Sequence, residues 1–273
     1  MKTALTISQV PEAAGGPFVL RTPLPAAFAS AAAFGFDGVE LFLPGADFVT
    51  SDEVKALAAA HGLAIAAVGT GAGMLQQGLS LTDAAAPTRA AALDFLLGMI
   101  DFGGRLGAPA ILGSMQGRCP PGMPREHALE LLASGLSRCA QRAASHGVPF
   151  IYEPLNRYET NLCNRLTAAA RFLDQHALAN VVLLADLFHM NIEEPDLTDA
   201  IRDSGARIGH VHFADSNRQA MGFGHTDPGP VFAALRELHY AGFLSAEILP
   251  LPDPESAARQ TLRSIHSLLE NHR

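Results

Sequence analysis

The chain has 273 residues, of which 48% are apolar, with a net charge of −8 and three cysteines. This length suits one α/β barrel, and the acidic balance argues against the basic footprint that nucleic-acid binding requires. No run of about 18 uninterrupted apolar residues occurs, so no helical membrane span is expected.

Strand-like and helix-like runs alternate from end to end. The predicted strands are Thr3–Ser8, Gly38–Phe42, Ala64–Val68, Pro109–Gly113, Pro149–Glu153, Val181–Asp186, Ile208–His212 and Ser245–Leu249. Met1 to Ser8 alternates like a strand and lacks the basic and apolar regions of a secretion signal. Cys119, Cys139 and Cys163 are odd in number and show no metal-ligand spacing, so free thiols and a cytoplasmic location are expected. The clearest helix spans 125 to 146, with Leu129, Leu132, Leu136, Cys139 and Ala143 on one face. A second runs from 253 to 269, with Ala258, Leu262, Ile265 and Leu269. Gly62, Gly107 and Gly147 follow helical runs, as residues just past a helix C-terminus do. Eight strands alternating with helices predict one (β/α)8 TIM barrel over residues 1–273, without linker or second domain. Three long polar loops, Gly69–Thr82, Ser114–Pro124 and Phe213–Asp227, follow strands, where barrel chemistry is usually carried.

Four metal-binding side chains end apolar runs: Glu153 in PFIYEPLN, Asp186 in VVLLADLFH, His212 in IGHVHFAD and Glu247 in LSAEILP. Their separations of 33, 26 and 35 residues are close to the roughly 30-residue βα repeat. Each would lie at the C-terminal end of a different strand. One such carboxylate alone reads equally well as a salt-bridge partner. Four from successive repeats read as ligands, and three oxygens with one imidazole suit a divalent cation such as Mn²⁺ or Mg²⁺. His210 shares the face of His212 but sits deeper, as a hydrogen-bonded histidine. Glu159, His189 and Arg218 follow three of these ligands in rim loops, where each taken alone reads as a surface residue. Arg118 and Arg157 lie on the same rim, and His225 in GFGHTD either closes the site or packs.

The segments EPLNRYETN, ADLFHMNIEE, HVHFADSNR and GFGHTD resemble the xylose-isomerase-like sugar isomerase/epimerase superfamily. Within it they look like ketose 3-epimerases, in particular the 5-keto-L-gluconate epimerase branch. The resemblance implies that Glu153, Asp186, His212 and Glu247 bind one divalent cation. Mn²⁺ is the first choice, with Mg²⁺, Co²⁺ or Zn²⁺ as alternatives. It implies that Glu153 and Glu247 are the acid–base pair and that Glu159, His189 and Arg218 contact substrate. Arg118 is added to the substrate contacts from its rim position. The expected partner is a small ketose or sugar acid, with no nucleic acid or membrane. A homodimer or homotetramer is compatible with it.

Carboxylates from strands five and eight would flank a bound sugar and invert the carbon beside its carbonyl. The rival readings are a hydroxypyruvate-type or aldose–ketose isomerase, a metal-dependent phosphodiesterase and an inert sugar-binding protein. Arg118, Arg157 and Arg218 favour a keto-hexuronate as substrate. Gly222 and Gly224 keep a phosphorylated sugar open, because barrel phosphate sites often lie near the last strands.

Overall fold

The computed structural model describes residues 1–271, which form a closed barrel of eight parallel strands in sequential order. The strands are β1 (Lys2–Ser8), β2 (Gly38–Phe42), β3 (Ala64–Gly69), β4 (Ala110–Leu112), β5 (Phe150–Tyr152), β6 (Val181–Asp186), β7 (Ile208–His212) and β8 (Phe243–Ala246). β1 closes the ring on β8, with Ala4 opposite Ser245 and Leu5 opposite Ala246. The outer helices are α1 (Leu24–Phe34), α2 (Ser51–His61), α3 (Ala72–Gln77), α4 (Ala86–Arg105), α5 (Arg125–Ser145), α6 (Leu166–Gln175), α7 (Leu187–Glu193), α8 (Leu197–Ser204), α9 (Pro228–Glu237) and α10 (Pro254–Asn271). None of the described helices is long and apolar enough to cross a membrane. The three cysteines are free thiols.

Strand parity divides the residues between two environments. Val39, Leu41, Val211 and Leu244 point outward and pack in the apolar clusters beneath the helices. The inward residues Ala67, Ile111, Ile151 and Leu184 pack on one another inside the barrel. Two positions further along the same strands lie Gly113, Glu153 and Asp186. The apolar plug and the polar floor of the barrel mouth are therefore successive layers of one side-chain alternation.

Two predicted boundaries are corrected. β8 begins and ends earlier than the predicted Ser245–Leu249, because the Glu247 N–H bonds the Ser245 carbonyl and the Leu249 N–H bonds the Arg218 carbonyl. The backbone past Ala246 thus belongs to the rim. The predicted loop Gly69–Thr82 contains α3, ended by Gly78 at φ 66°, a left-handed conformation that glycine adopts without strain.

Candidate active site at the barrel mouth

The four predicted ligands converge. Glu153, Asp186, His212 and Glu247 each offer a donor atom within 4.8 Å of the others. His212 Nδ1 lies 3.5 Å from Glu153 Oε1, 3.3 Å from Asp186 Oδ2 and 3.5 Å from Glu247 Oε2. Asp186 and His212 end their strands, while Glu153 and Glu247 stand one residue beyond theirs.

Local structure fixes each donor. Asp186 caps α7, its Oδ1 accepting from the backbone N–H groups of Phe188 and His189 at 2.8 and 3.2 Å. That leaves Oδ2 for the centre. Gly113 gives Glu153 its room, since a Cβ there would lie 2.5 Å from Glu153 Oε2. Glu40, an acid within the apolar strand β2, holds His212 from behind. Its Oε1 lies 3.2 Å from His212 Nε2 and its Oε2 2.8 Å from His210 Nε2. With Nε2 directed at Glu40, Nδ1 is the ring nitrogen left facing the three carboxylates, and it is the one that would ligate a cation.

Sequence reasoning missed Glu40. Its signal was one acid at an inward position of GVELF, which can be read only once the parity of β2 is known. His210 has the expected hydrogen-bonded role. Glu40→Leu should leave both imidazole N–H groups without their acceptor and weaken divalent-metal binding by about 10–100-fold. Competition with a chelating dye measures this, and unchanged affinity would remove Glu40 from the site.

The donor set passes a chemical test for a cation. Burial pushes Glu247 up to about 7, against the positive charges of His212 and Arg218, with Glu153 and Asp186 adding to the rise. Burial opposes the charge of Asp186 too, but His189, His212 and Arg218 outweigh it and hold its carboxyl well below the usual range. Glu153 Oε1 and His189 Nε2 are buried at the same centre without a hydrogen-bond partner. Crowded carboxylates, one imidazole nitrogen among them and an orphaned oxygen fit a hard divalent cation.

Around this centre lies a cavity of about 430 Å³, whose lining includes Glu159, His189 and Arg218 with the ligands Glu153, His212 and Glu247. Arg218 Nη2 donates to Glu247 Oε2 at 2.7 Å, and its guanidinium sits 4.8 Å over the Phe188 ring. Its backbone is left-handed, at φ 60°.

Arg118 and Arg157 do not join these residues. Arg118 is exposed, is absent from the cavity lining, and donates to the Tyr158 carbonyl at 3.0 Å. Arg157 forks onto Glu193, with Nε 2.8 Å from Oε1 and Nη2 3.0 Å from Oε2. The guanidiniums proposed from the sequence to clamp a sugar acid are thus engaged elsewhere, apart from Arg218. His225 pairs with Ser216 Oγ in the same rim loop.

The glycine-rich segment after β7 is also occupied. Asp215, fully buried, fills the nest of backbone amides that Gly222 and Gly224 supply. Its Oδ2 accepts from Gly222 and Gly224 N–H at 2.7 and 2.8 Å, and its Oδ1 from Ser216 and Thr226 N–H at 2.7 and 3.0 Å. A Cβ at Gly224 would run into that carboxylate. An anion nest satisfied by the protein's own aspartate is not a phosphate site.

Three carboxylates and one imidazole thus gather at the mouth of the barrel, where the cavity opens. The chain belongs to the xylose isomerase-like TIM barrel family, whose model matches residues 28–268. It is 34% identical over 170 residues to the 3-dehydro-D-guloside 4-epimerase of Escherichia coli (strain K12), covering 60% of this chain and 64% of that enzyme. It is 32% identical to the ketose 3-epimerase of Arthrobacter globiformis, covering 76% and 71%. The match spans less than two thirds of the E. coli relative and 46% of an L-ribulose 3-epimerase from Methylomonas sp. (strain DH-1). A solved structure of L-ribulose 3-epimerase superposes with a TM-score of 0.83 at 25% identity, over 99% of this chain and 95% of that one.

Proposed function

We propose that this protein is a divalent-metal-dependent epimerase of neutral ketoses that inverts the carbon beside the carbonyl through an enediolate. The observation that carries this reading is the pair Glu153 and Glu247, which reach the centre from β5 and β8, each with one oxygen 3.5 Å from His212 Nδ1. Each carboxylate turns one oxygen to the centre and keeps a second for proton transfer. One removes the proton from carbon on one face of the sugar, and the other returns a proton to the opposite face. A carbohydrate-binding protein has no need of both. Glu153, Asp186, His212 and Glu247 would hold the cation, with Mn²⁺ favoured by the mixed oxygen–nitrogen donor set. When bound, the cation polarises the carbonyl and offsets the charge developing on its oxygen.

Neutral substrates are favoured over the keto-hexuronate read from the sequence. Among the described lining residues Arg218 is the one Lys or Arg, and it already pairs with Glu247. Glu12, Glu40, Glu153, Glu159 and Glu247 share the cavity wall, so a second negative charge on the substrate would meet repulsion. The relatives' substrates, named above, support the sugar class. The same acidic wall and the net charge of −8 count against a phosphodiesterase acting on nucleic acid.

The test is kcat/KM of manganese-loaded protein on a neutral ketose, the matching keto-hexuronate and its phosphate, with the stereochemistry of each product resolved. The neutral ketose should be inverted fastest, and Arg118→Ala and Arg157→Ala should leave its kcat/KM within about twofold. A hexuronate or phosphate preference would refute the substrate reading. Aldose formation without inversion would replace epimerisation by isomerisation.

A further inference from the structure

Asn156, which sequence reasoning passed over, is aimed at the back of His189. Its Nδ2 lies 2.7 Å from His189 Nδ1, and its backbone N–H points at the same nitrogen at 3.4 Å. The orientation of the Asn156 amide is itself determined twice. Oδ1 accepts from the Tyr158 N–H at 3.0 Å, and Nδ2 donates to Glu159 Oε1 at 3.2 Å. Turning the amide over would set a carbonyl oxygen against a carboxylate and an NH₂ against an N–H. The competing partner for a proton on Nδ1 is Glu159 Oε1, which lies 3.8 Å away, too far for a hydrogen bond. Nδ1 therefore faces donors alone and must accept.

The other ring nitrogen then carries the proton. His189 Nε2 is buried, points into the cavity side of the centre and has no partner. It lies 3.9 Å from Glu153 Oε1 and 3.8 Å from Asp186 Oδ2. An unpaired buried N–H in that position calls for an acceptor supplied by the ligand. The cavity beside the two carboxylates is where a sugar oxygen would sit.

We propose that Asn156 is a positioning residue that locks His189 in its Nε2–H tautomer, so that a neutral imidazole donates to the substrate oxygen that gains charge in the reaction. The inference rests on the epimerase reading for the identity of that oxygen but not for the tautomer. A neutral donor stabilises such an oxygen without surrendering its proton to it, which keeps proton transfer with the two glutamates. His212 is turned the other way, with Nε2 on Glu40 and Nδ1 toward the ligand carboxylates.

Asn156→Asp changes no shape and puts an acceptor where the donor was, so Nδ1 takes up a proton. Asn156→Ala removes the side chain but keeps the backbone N–H on Nδ1. Because the new carboxylate also meets Glu159 Oε1, which Nδ2 bonds at 3.2 Å in the wild type, the order of the two rates is read together with the ring protonation, which a mere loop support would not change. We expect kcat/KM to fall by about 10²–10³-fold in Asn156→Asp, the effect of losing one oxyanion donor, and by less in Asn156→Ala, both at full metal occupancy. Ring ¹⁵N NMR of the diamagnetic Mg²⁺-loaded protein reads the tautomer without reference to turnover. Nδ1 of His189 should be unprotonated in the wild type and protonated in Asn156→Asp. A protonated Nδ1 in the wild type, or Ala more damaging than Asp, would overturn the proposal. The expected NMR pattern in a protein that epimerises no ketose would keep the tautomer lock and refute the epimerase reading alone.

Discussion

Glu153→Gln and Glu247→Gln are each expected to lower kcat by about 10²–10⁴-fold, the usual contribution of a positioned acid–base group. Glutamine keeps an oxygen that can face His212 and loses the capacity to take a proton. Metal content must be measured beside the rate, because both residues belong to the same cluster of four. The two variants should fail differently. In deuterated water, the one that retains the proton-abstracting carboxylate should still exchange the substrate's own carbon-bound hydrogen without inverting the carbon. The other should do neither. Near-native turnover of both metal-replete variants would end the two-carboxylate mechanism.

Asp215→Ala is expected to be the most destabilising single change in the rim. Asp215 accepts four backbone N–H groups and the Ser216 hydroxyl. Its removal leaves several donors of a buried nest unpaired, at a cost of about 3 kcal/mol when one or two of them stay dry. That is roughly 6–12 °C in Tm for a chain of this size, read by calorimetry. Function should suffer beyond stability, because the Arg218 N–H bonds the Asp215 carbonyl within the same turn, at 2.8 Å. The nest holds Arg218 in its left-handed conformation over Phe188 and against Glu247.

The dependence of this effect on pH has a definite sign. Burial works against ionisation of Asp215, but the backbone donors of Thr226, Gly224, Ser216 and Gly222 outweigh it and lower its pKa. A lowered folded-state pKa stabilises above the unfolded value, near 4, and the contribution fades as pH falls through the folded value. The Tm gap between wild type and Asp215→Ala should therefore narrow below about pH 4. A gap that is flat through that range, or absent at pH 7, would show that the carboxylate does not hold the loop.

The barrel and its four ligands were legible in the sequence because both are matters of spacing. A βα repeat carries each strand's last inward residue to the same rim, so Glu153, Asp186, His212 and Glu247 announce themselves at repeat-length intervals. Apolar runs fixed seven of the eight strands to within a residue at each end, and failed at β8. There LSAEILP reads as continuous strand, while backbone hydrogen bonds to Ser245 and from Leu249 to Arg218 turn the chain away.

What the sequence could not give is which side chains face one another across different repeats. Three arginines on loops look alike in one dimension. In three, Arg157 spends its fork on Glu193, Arg118 bonds a carbonyl, and Arg218 reaches Glu247. Glycines 222 and 224 look like a phosphate cradle until Asp215 is found in it. Glu40 and Asn156 carry no local signal that names their partners. They matter because the barrel closes, bringing β2 to within hydrogen-bond reach of β7, and the loop after β5 against α7. Repeat spacing is a property of the chain. The partner of a buried donor is set by closure of the sheet, which only the folded structure contains.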